Sequence, residues 1–334
     1  MSTTPQAPRV SVALCTHNGA KFVCAQVESI LRQSVPVSEI VLSDDASTDD
    51  TVAIAERTVA EWPSPRPELV TIRNPKALGV VANFDQATSR CSGELIALCD
   101  QDDLWHREKI ALSIEALGRL DGVSLVHSDA QLIAEDGHVL PSTLLGSLET
   151  TPWEKRQLQG SSSFAALIKR NLVTGATTVF RSSLLAHASP FPPEWIHDEW
   201  LAILASAVDS TYLIDERLLD YRQHGGNQIG ARKPTLADKL RKIGEPRQDR
   251  NRHLLARAEI LVARIDALGA LVRPARRELA VGKLAHDRAR LALPRTRILR
   301  VLPIAGGVVG GHYRRYSRGL RDALRDLAQP PGPR

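Results

Sequence analysis

Val10-Ser11-Val12-Ala13-Leu14-Cys15 reads as a short β-strand, and a polar cluster, Thr16-His17-Asn18-Gly19, follows it at once. Working outward, the chain alternates short β-type runs with longer helical ones. Helices are predicted over 21–32, 48–61 and 80–90, and further strands over 39–43, 69–72 and 94–99. A βαβα succession of this kind predicts an α/β fold, a mostly parallel sheet with helices on both faces. The Pro-rich stretch 62–67 reads as a loop, too short to link domains, and no internal repeat is visible.

Open sheets of this class bind ligands at the carboxyl ends of their strands. Those positions are unusually polar: Thr16-His17-Asn18-Gly19 after the first strand, Asp44-Asp45-Ala46-Ser47-Thr48 after the second and Asp100-Gln101-Asp102-Asp103 after the fourth. Three strand ends thus bring five carboxylates to one rim. Ser47 and Thr48 would also serve as caps of the second helix, a role compatible with ligand binding. Five clustered carboxylates repel one another unless a cation or the donors of a ligand compensate them, and Mg²⁺ or Mn²⁺ with a diphosphate fits that chemistry. No GxGxxG follows the first strand and no GxxxxGK[ST] occurs, which counts against a dinucleotide-binding dehydrogenase and a P-loop NTPase. Gly306-Gly307-Val308-Val309-Gly310-Gly311 lacks the phosphate-binding Lys and Ser and reads as a flexible turn.

The 334 residues are 43% hydrophobic and 24% charged, a globular composition. The net charge of +5 hides a division: residues 1–230 carry 18 basic and 29 acidic side chains, whereas 231–334 carry 25 and 9, a balance of +16. A basic region of that kind attracts anionic surfaces. No run reaches the roughly 18 to 20 apolar residues needed to cross a bilayer, and the first residues have no signal-peptide core, so the expected location is the cytoplasm. Cys15, Cys24, Cys91 and Cys99 show no CxxC spacing and read as buried free thiols.

Taken in order, 10–12 through Thr16-His17-Asn18-Gly19, 43–49, Asn83-Phe84 and 93–105 resemble glycosyltransferase family 2, the inverting nucleotide-sugar transferases with a metal-dependent GT-A fold, a single Rossmann-like domain. Asn171-Leu172-Val173-Thr174-Gly175, His197-Asp198-Glu199-Trp200 and Tyr221-Arg222-Gln223-His224-Gly225-Gly226-Asn227 resemble its rhamnosyltransferase-like branch. The resemblance covers about residues 8–230 and implies a catalytic domain over 1–230, followed by a basic helical region over 231–334. It implies that Asp45 reads the pyrimidine base with Thr16 and His17 in the same pocket and Asn18 beside them. Asp100 would face the ribose, and Asp102 would hold the metal bridging the diphosphate. His17 departs from the tyrosine often found at its position. The branch implies L-rhamnose from a dTDP-rhamnose donor, with a UDP-sugar as the alternative donor, and a cell-surface glycan or lipid-linked acceptor.

Inversion requires the acceptor hydroxyl to attack opposite the leaving group, with a base in reach. Asp198, which opens a predicted helix over 198–208 and matches the base position of the family, is the candidate; the alternative is a plain N-cap. Glu199 is the weaker base candidate, and Trp200 would line the acceptor cleft unless it belongs to the core. His224 reads either as a loop residue or as part of the metal shell, and Arg222 either as a phosphate contact or as a structural ion pair.

Residues 235–334 are predicted mostly helical. Leu254, Ala258, Leu261, Ile265, Leu268 and Val272 form an apolar seam flanked by Arg250, Arg257 and Arg264. One account is a helical hairpin packed on the core or on a second copy. The other is attachment to the anionic inner leaflet, helped by the apolar segment 298–309. Two other functions fit parts of the sequence. A metal-dependent phosphatase using Asp100 and Asp102 predicts a phosphoenzyme and no nucleotide binding. A nucleic-acid binder finds only Tyr313 and Tyr316 as stacking platforms in the basic region, so no nucleic-acid partner is expected.

Overall fold

The computed structural model describes residues 7–160, 162–225 and 247–330. Gly226, Asn227 and the expected boundary near 230 lie outside them. Among the described residues, 7–160, 172–205 and 209–225 form one compact unit, and 162–171, 206–208 and 247–330 form a second.

The first unit is built on nine strands: β1 (Val10–Thr16), β2 (Glu39–Asp44), β3 (Glu68–Arg73), β4 (Leu95–Asp100), β5 (Leu104–Trp105), β6 (Leu125–Ala134), β7 (Val139–Thr143), β8 (Val179–Arg181) and β9 (Thr211–Gln223). Their order is β3-β2-β1-β4-β8-β6-β9-β5, with β7 paired to β6. β1 is buried along its whole length, as a central parallel strand covered on both faces must be, while β3 at the edge is partly exposed. β1, β2, β3 and β4 pair in parallel; β8 joins β4 to β6 antiparallel, and β6 pairs with β9 in parallel. Register sets the site. Thr16 lies opposite Asp44 and Cys15 opposite Asp100, so β1, β2 and β4 end level with one another.

The connecting helices are α1 (Val23–Leu31), α2 (Thr51–Glu61), α3 (Val80–Arg90) and α4 (Lys109–Arg119), and a later helix, α5 (His197–Val208), precedes β9. One core lies between the apolar faces of α1, α2 and α4 and one face of β1, β2 and β4, from Val10, Val12 and Leu14 to Leu117 and Leu219. α2 begins at Thr51, three residues later than the spacing suggests. Ser47 and Thr48 are therefore not its caps; Asp49 Oδ1 instead accepts from the Thr51 N–H and hydroxyl. All four cysteines are free, but Cys24 is exposed and Cys91 half-buried, so only Cys15 and Cys99 match the expectation of buried thiols.

In the second unit α6 (Arg247–Leu268) packs on α7 (Pro274–Leu291), and α8 (Arg297–Val309), α9 (His312–Tyr316) and α10 (Leu320–Ala328) complete it. Ala258, Leu261, Ile265 and Val272 of the seam are buried, as a hairpin requires. Arg250, beside the seam, is half-buried, and with Arg290 and the Tyr313 hydroxyl it surrounds the fully buried Asp326. Gly306 and Gly307, expected in a turn, lie inside α8, where Gly307 lets the Tyr313 ring pack 3.1 Å from the place its Cβ would occupy.

Candidate functional site

The clustered carboxylates divide into two classes. Asp44 accepts from the Thr16 hydroxyl (2.7 Å) and from the Ser47 N–H (2.9 Å) and hydroxyl. Asp45 accepts from the N–H groups of Leu78 (2.6 Å) and Gly79 (2.9 Å), which fixes the chain entering α3. Asp103 is buried, with Oδ1 on the Arg222 N–H (2.9 Å) and Oδ2 without a hydrogen-bond partner. Asp44 and Asp45 are thus satisfied by local donors. Asp100 and Asp102 are the partly exposed pair.

Two loops are locked together at the rim. Gln101 Oε1 accepts from the His17 N–H (2.8 Å) while its Nε2 donates to the His17 carbonyl (3.0 Å). A Cβ on Gly19 would meet Gln101 Oε1 at 2.1 Å, so this clamp requires glycine. Asn18, at φ 49°, donates its N–H to Ser47 Oγ and accepts from the Thr48 N–H (2.9 Å), a left-handed position that asparagine tolerates. His17 Nδ1 lies 2.7 Å from the Asp45 carbonyl, which assigns the proton to Nδ1 and leaves the ring exposed. Thr16 and Asn18 thus brace the rim. Thr16, expected to line the pocket, is buried with its hydroxyl committed to Asp44.

The short β5–β9 pairing brings the 101–103 loop against the end of β9. There His224 Nε2 meets Asp102 Oδ2 at 2.6 Å, and the His224 ring stacks on Phe22 at 5.0 Å. Arg222, read either as a phosphate contact or as a structural ion pair, gives Nε to the Asp102 carbonyl (2.8 Å) and Nη1 to the Glu135 carbonyl (3.0 Å). It holds the loop that presents Asp102. Among the described residues no three His, Cys, Asp or Glu side chains form a closed metal cage. Asp102 and His224 do fit a hard divalent cation as a two-donor set, the other ligands being oxygens of a diphosphate or water.

Asp198 lies in the first turn of α5, whose N-cap is Ile196, so the capping alternative fails. Its Oδ2 accepts from the Gly175 N–H (2.8 Å) and its Oδ1 from the Glu199 N–H (2.5 Å). The neighbouring His197 is stacked on Phe84 at 3.9 Å, with neither ring nitrogen hydrogen-bonded, and burial pushes it down to about 3, so it is neutral. Trp200, expected at the acceptor cleft, is fully buried, donates Nε1 to the Ala188 carbonyl (2.8 Å) and packs on Trp195. It is a core residue, and Glu199 is half-buried.

Electrostatics join these pieces. Burial, then Asp102 and Asp198, push the Asp100 carboxyl up to about 7. Burial, then Asp102 and Asp100, hold Asp103 well above the usual range. The cation beneath them is one that motif reading passed over: Lys109, fully buried at the start of α4, donates Nζ to the Ala176 carbonyl and sits 3.8 Å from the Trp105 ring centroid. Burial pushes it down to about 8, against the pull of Cys99, Asp103 and Asp100. Ala176 follows Gly175, so Lys109 and Asp198 hold the same turn. Its sequence signal is periodicity: Lys109 shares the buried face of α4 with Ser113, Ala116 and Leu117.

Residues 11–176 match the sequence model of the family described as Glycosyl transferase family 2. The chain belongs to glycosyltransferase family 2. Within this family setting, it is 26% identical over 229 residues to the dTDP-rhamnosyl transferase RfbG of Shigella flexneri, covering 65% of this chain and 74% of that protein. Among solved structures it resembles Staphylococcus aureus TarS 1-349 in complex with UDP, with a TM-score of 0.54, 14% identity and coverage of 96% and 89%. It also resembles the mannosyltransferase PcManGT of Pyrobaculum calidifontis in complex with GDP-Man and Mn²⁺, with a TM-score of 0.53, 17% identity and coverage of 97% and 85%. At these identities the structural likenesses establish the GT-A fold. The chain spans between 20% and 59% of the length of several other curated relatives that it matches.

Proposed function

We propose that this family 2 protein is an inverting, metal-dependent glycosyltransferase that moves a sugar, L-rhamnose from dTDP-rhamnose, onto a glycan or lipid-linked glycan acceptor. The observation that carries the reading is the electrostatic convergence of Asp100, Asp102 and Asp198, which reach this rim from β4, the loop after it and the start of α5. The rhamnose donor draws support from the relative RfbG, and the metal from the PcManGT complex. Residues 1–230 would carry the chemistry and 231–334 the contact with an anionic membrane face.

Asp198 is the proposed base. Its two oxygens are fixed by the N–H groups of Gly175 and Glu199, so the carboxylate is oriented before the acceptor arrives. It takes the proton of the acceptor hydroxyl as that oxygen bonds to the anomeric carbon from the face opposite the leaving diphosphate. Asp102 and His224 would hold Mg²⁺ or Mn²⁺, which when bound supplies Lewis-acid stabilisation of the charge on the departing nucleoside diphosphate. Asp45 and His17 are the proposed contacts to the base, and Asp100 to the ribose. Incubation with a panel of nucleotide sugars and Mn²⁺, followed by NMR of the released or transferred sugar, tests the proposal. It expects turnover of dTDP-rhamnose with inverted anomeric configuration; retention, or cleavage of simple phosphate esters with a phosphoenzyme, would overturn it.

A further inference from the structure

Helix α8 turns its apolar side outward. Ile298, Leu302, Ala305 and Val309, spaced 4-3-4, form one stripe, and the larger members are 76%, 83% and 89% exposed (Ile298, Leu302, Val309). Leu299 and Val301 flank it and are exposed too. The opposite side of the helix is buried and holds Ile304 and Arg300, whose guanidinium donates to the carbonyls of Pro294, Arg295, Asp326, Leu327 and Gln329. This reverses the usual pattern, in which a helix on a water-soluble unit shows polar residues to solvent. Between 301 and 311 there is no charged residue at all, yet exposed arginines stand on both sides: Arg295 and Arg297 before the stripe, Arg314 and Arg315 after it.

We propose that α8 is an in-plane membrane anchor, its stripe entering the acyl boundary of an anionic lipid surface while the flanking arginines meet the headgroups. This rests on the membrane contact proposed above for 231–334 and adds which residues enter the lipid. Thirteen residues rise about 20 Å, short of the roughly 30 Å hydrocarbon core, so the helix lies in the interface rather than across it. A contiguous exposed apolar stripe marks a surface that something covers. Charge selects the occupant. A second copy joined through the same stripe would bring like-charged arginine ends together, whereas anionic headgroups neutralise them. Arg300 supports the same orientation from below, because its five carbonyl bonds pin the helix with the stripe outward.

The test is co-sedimentation of the whole protein with vesicles of phosphatidylglycerol and phosphatidylcholine, and with phosphatidylcholine alone. The wild type should bind the anionic vesicles at least tenfold more tightly than the neutral ones. Leu302→Asp, at a position 83% exposed, should lower that binding tenfold or more with unchanged Tm and unchanged donor hydrolysis, and Leu302→Phe should keep it. If the wild type binds no anionic vesicles, the membrane contact itself falls. If the wild type binds and Leu302→Asp binds equally well, membrane contact stands and α8 is not the anchor. If Leu302→Asp leaves vesicle binding intact but turns a dimer into a monomer, the stripe is an interface between copies and the inference is overturned.

Discussion

Asp198→Asn separates chemistry from architecture, and the structure gives the size of both effects. As an aspartate the side chain has two acceptor oxygens, one on the Gly175 N–H and one on the Glu199 N–H. An asparagine has one oxygen, so its amide N–H₂ faces one of these backbone donors at a site only 7% exposed. A buried donor left without a partner costs about 1–3 kcal/mol, which for a unit of this size lowers Tm by several degrees, about 2–4 °C per kcal/mol. The substitution is therefore not stability-neutral, contrary to what a capping role would give. Loss of a general base lowers turnover by about 10²–10⁴-fold, or about 3–5 kcal/mol at 1.36 kcal/mol per tenfold. Donor affinity measured by calorimetry should stay within a few-fold, and Glu199→Gln should keep most of the transfer rate. Transfer by folded Asp198→Asn within about threefold of wild type would refute the base assignment and turn attention to Glu199.

Lys109→Met removes the cation beneath Asp100 and Asp103 and the bond to the Ala176 carbonyl; breaking such a buried arrangement costs about 3–5 kcal/mol, to be read by urea denaturation, and an unchanged midpoint would contradict it. Trp200→Ala should destabilise by about 3–5 kcal/mol while leaving the acceptor KM of whatever folds near wild type, the reverse of what an acceptor contact would do. Asp100 sets a pH dependence. Its carboxyl stays protonated in the fold up to about 7 but only to 3.8 in the unfolded chain, so the fold binds the extra proton between those values. Its contribution is fully present below about 4 and is lost as pH rises through 7, by about 4 kcal/mol at 1.36 kcal/mol per pH unit. Chemical denaturation across pH 4–8 should show that decline in metal-free wild type, and Asp100→Asn should flatten it; equal slopes would contradict the assignment.

The parallel half of the sheet was legible because central parallel strands are continuous apolar runs. The residues after them could not be hidden among apolar neighbours, and register then places their ends side by side. What the sequence left unsettled depends on contacts between distant residues. Nothing local announces that Leu78 and Gly79 would donate to Asp45, or that Arg222 would turn its guanidinium onto loop carbonyls. Trp200 on an amphipathic helix is ambiguous until the Ala188 carbonyl is found beside its indole N–H. Gly306 and Gly307 have low helix propensity, and close packing of Tyr313 on Gly307 is the compensating contact. Lys109 was legible in principle, but a charge on a buried helical face is easily read as a solvated one.

The central claim is a metal-assisted nucleotide-sugar site at Asp102 and His224. Calorimetric titration of dTDP-rhamnose into the wild type and into Asp102→Ala, with Mn²⁺ and then with EDTA, tests it most directly. The account predicts one saturable site in the wild type with Mn²⁺, and affinity at least tenfold weaker both in EDTA and in Asp102→Ala. Equal affinity in EDTA, or an Asp102→Ala protein that binds the donor as tightly as wild type, would contradict it.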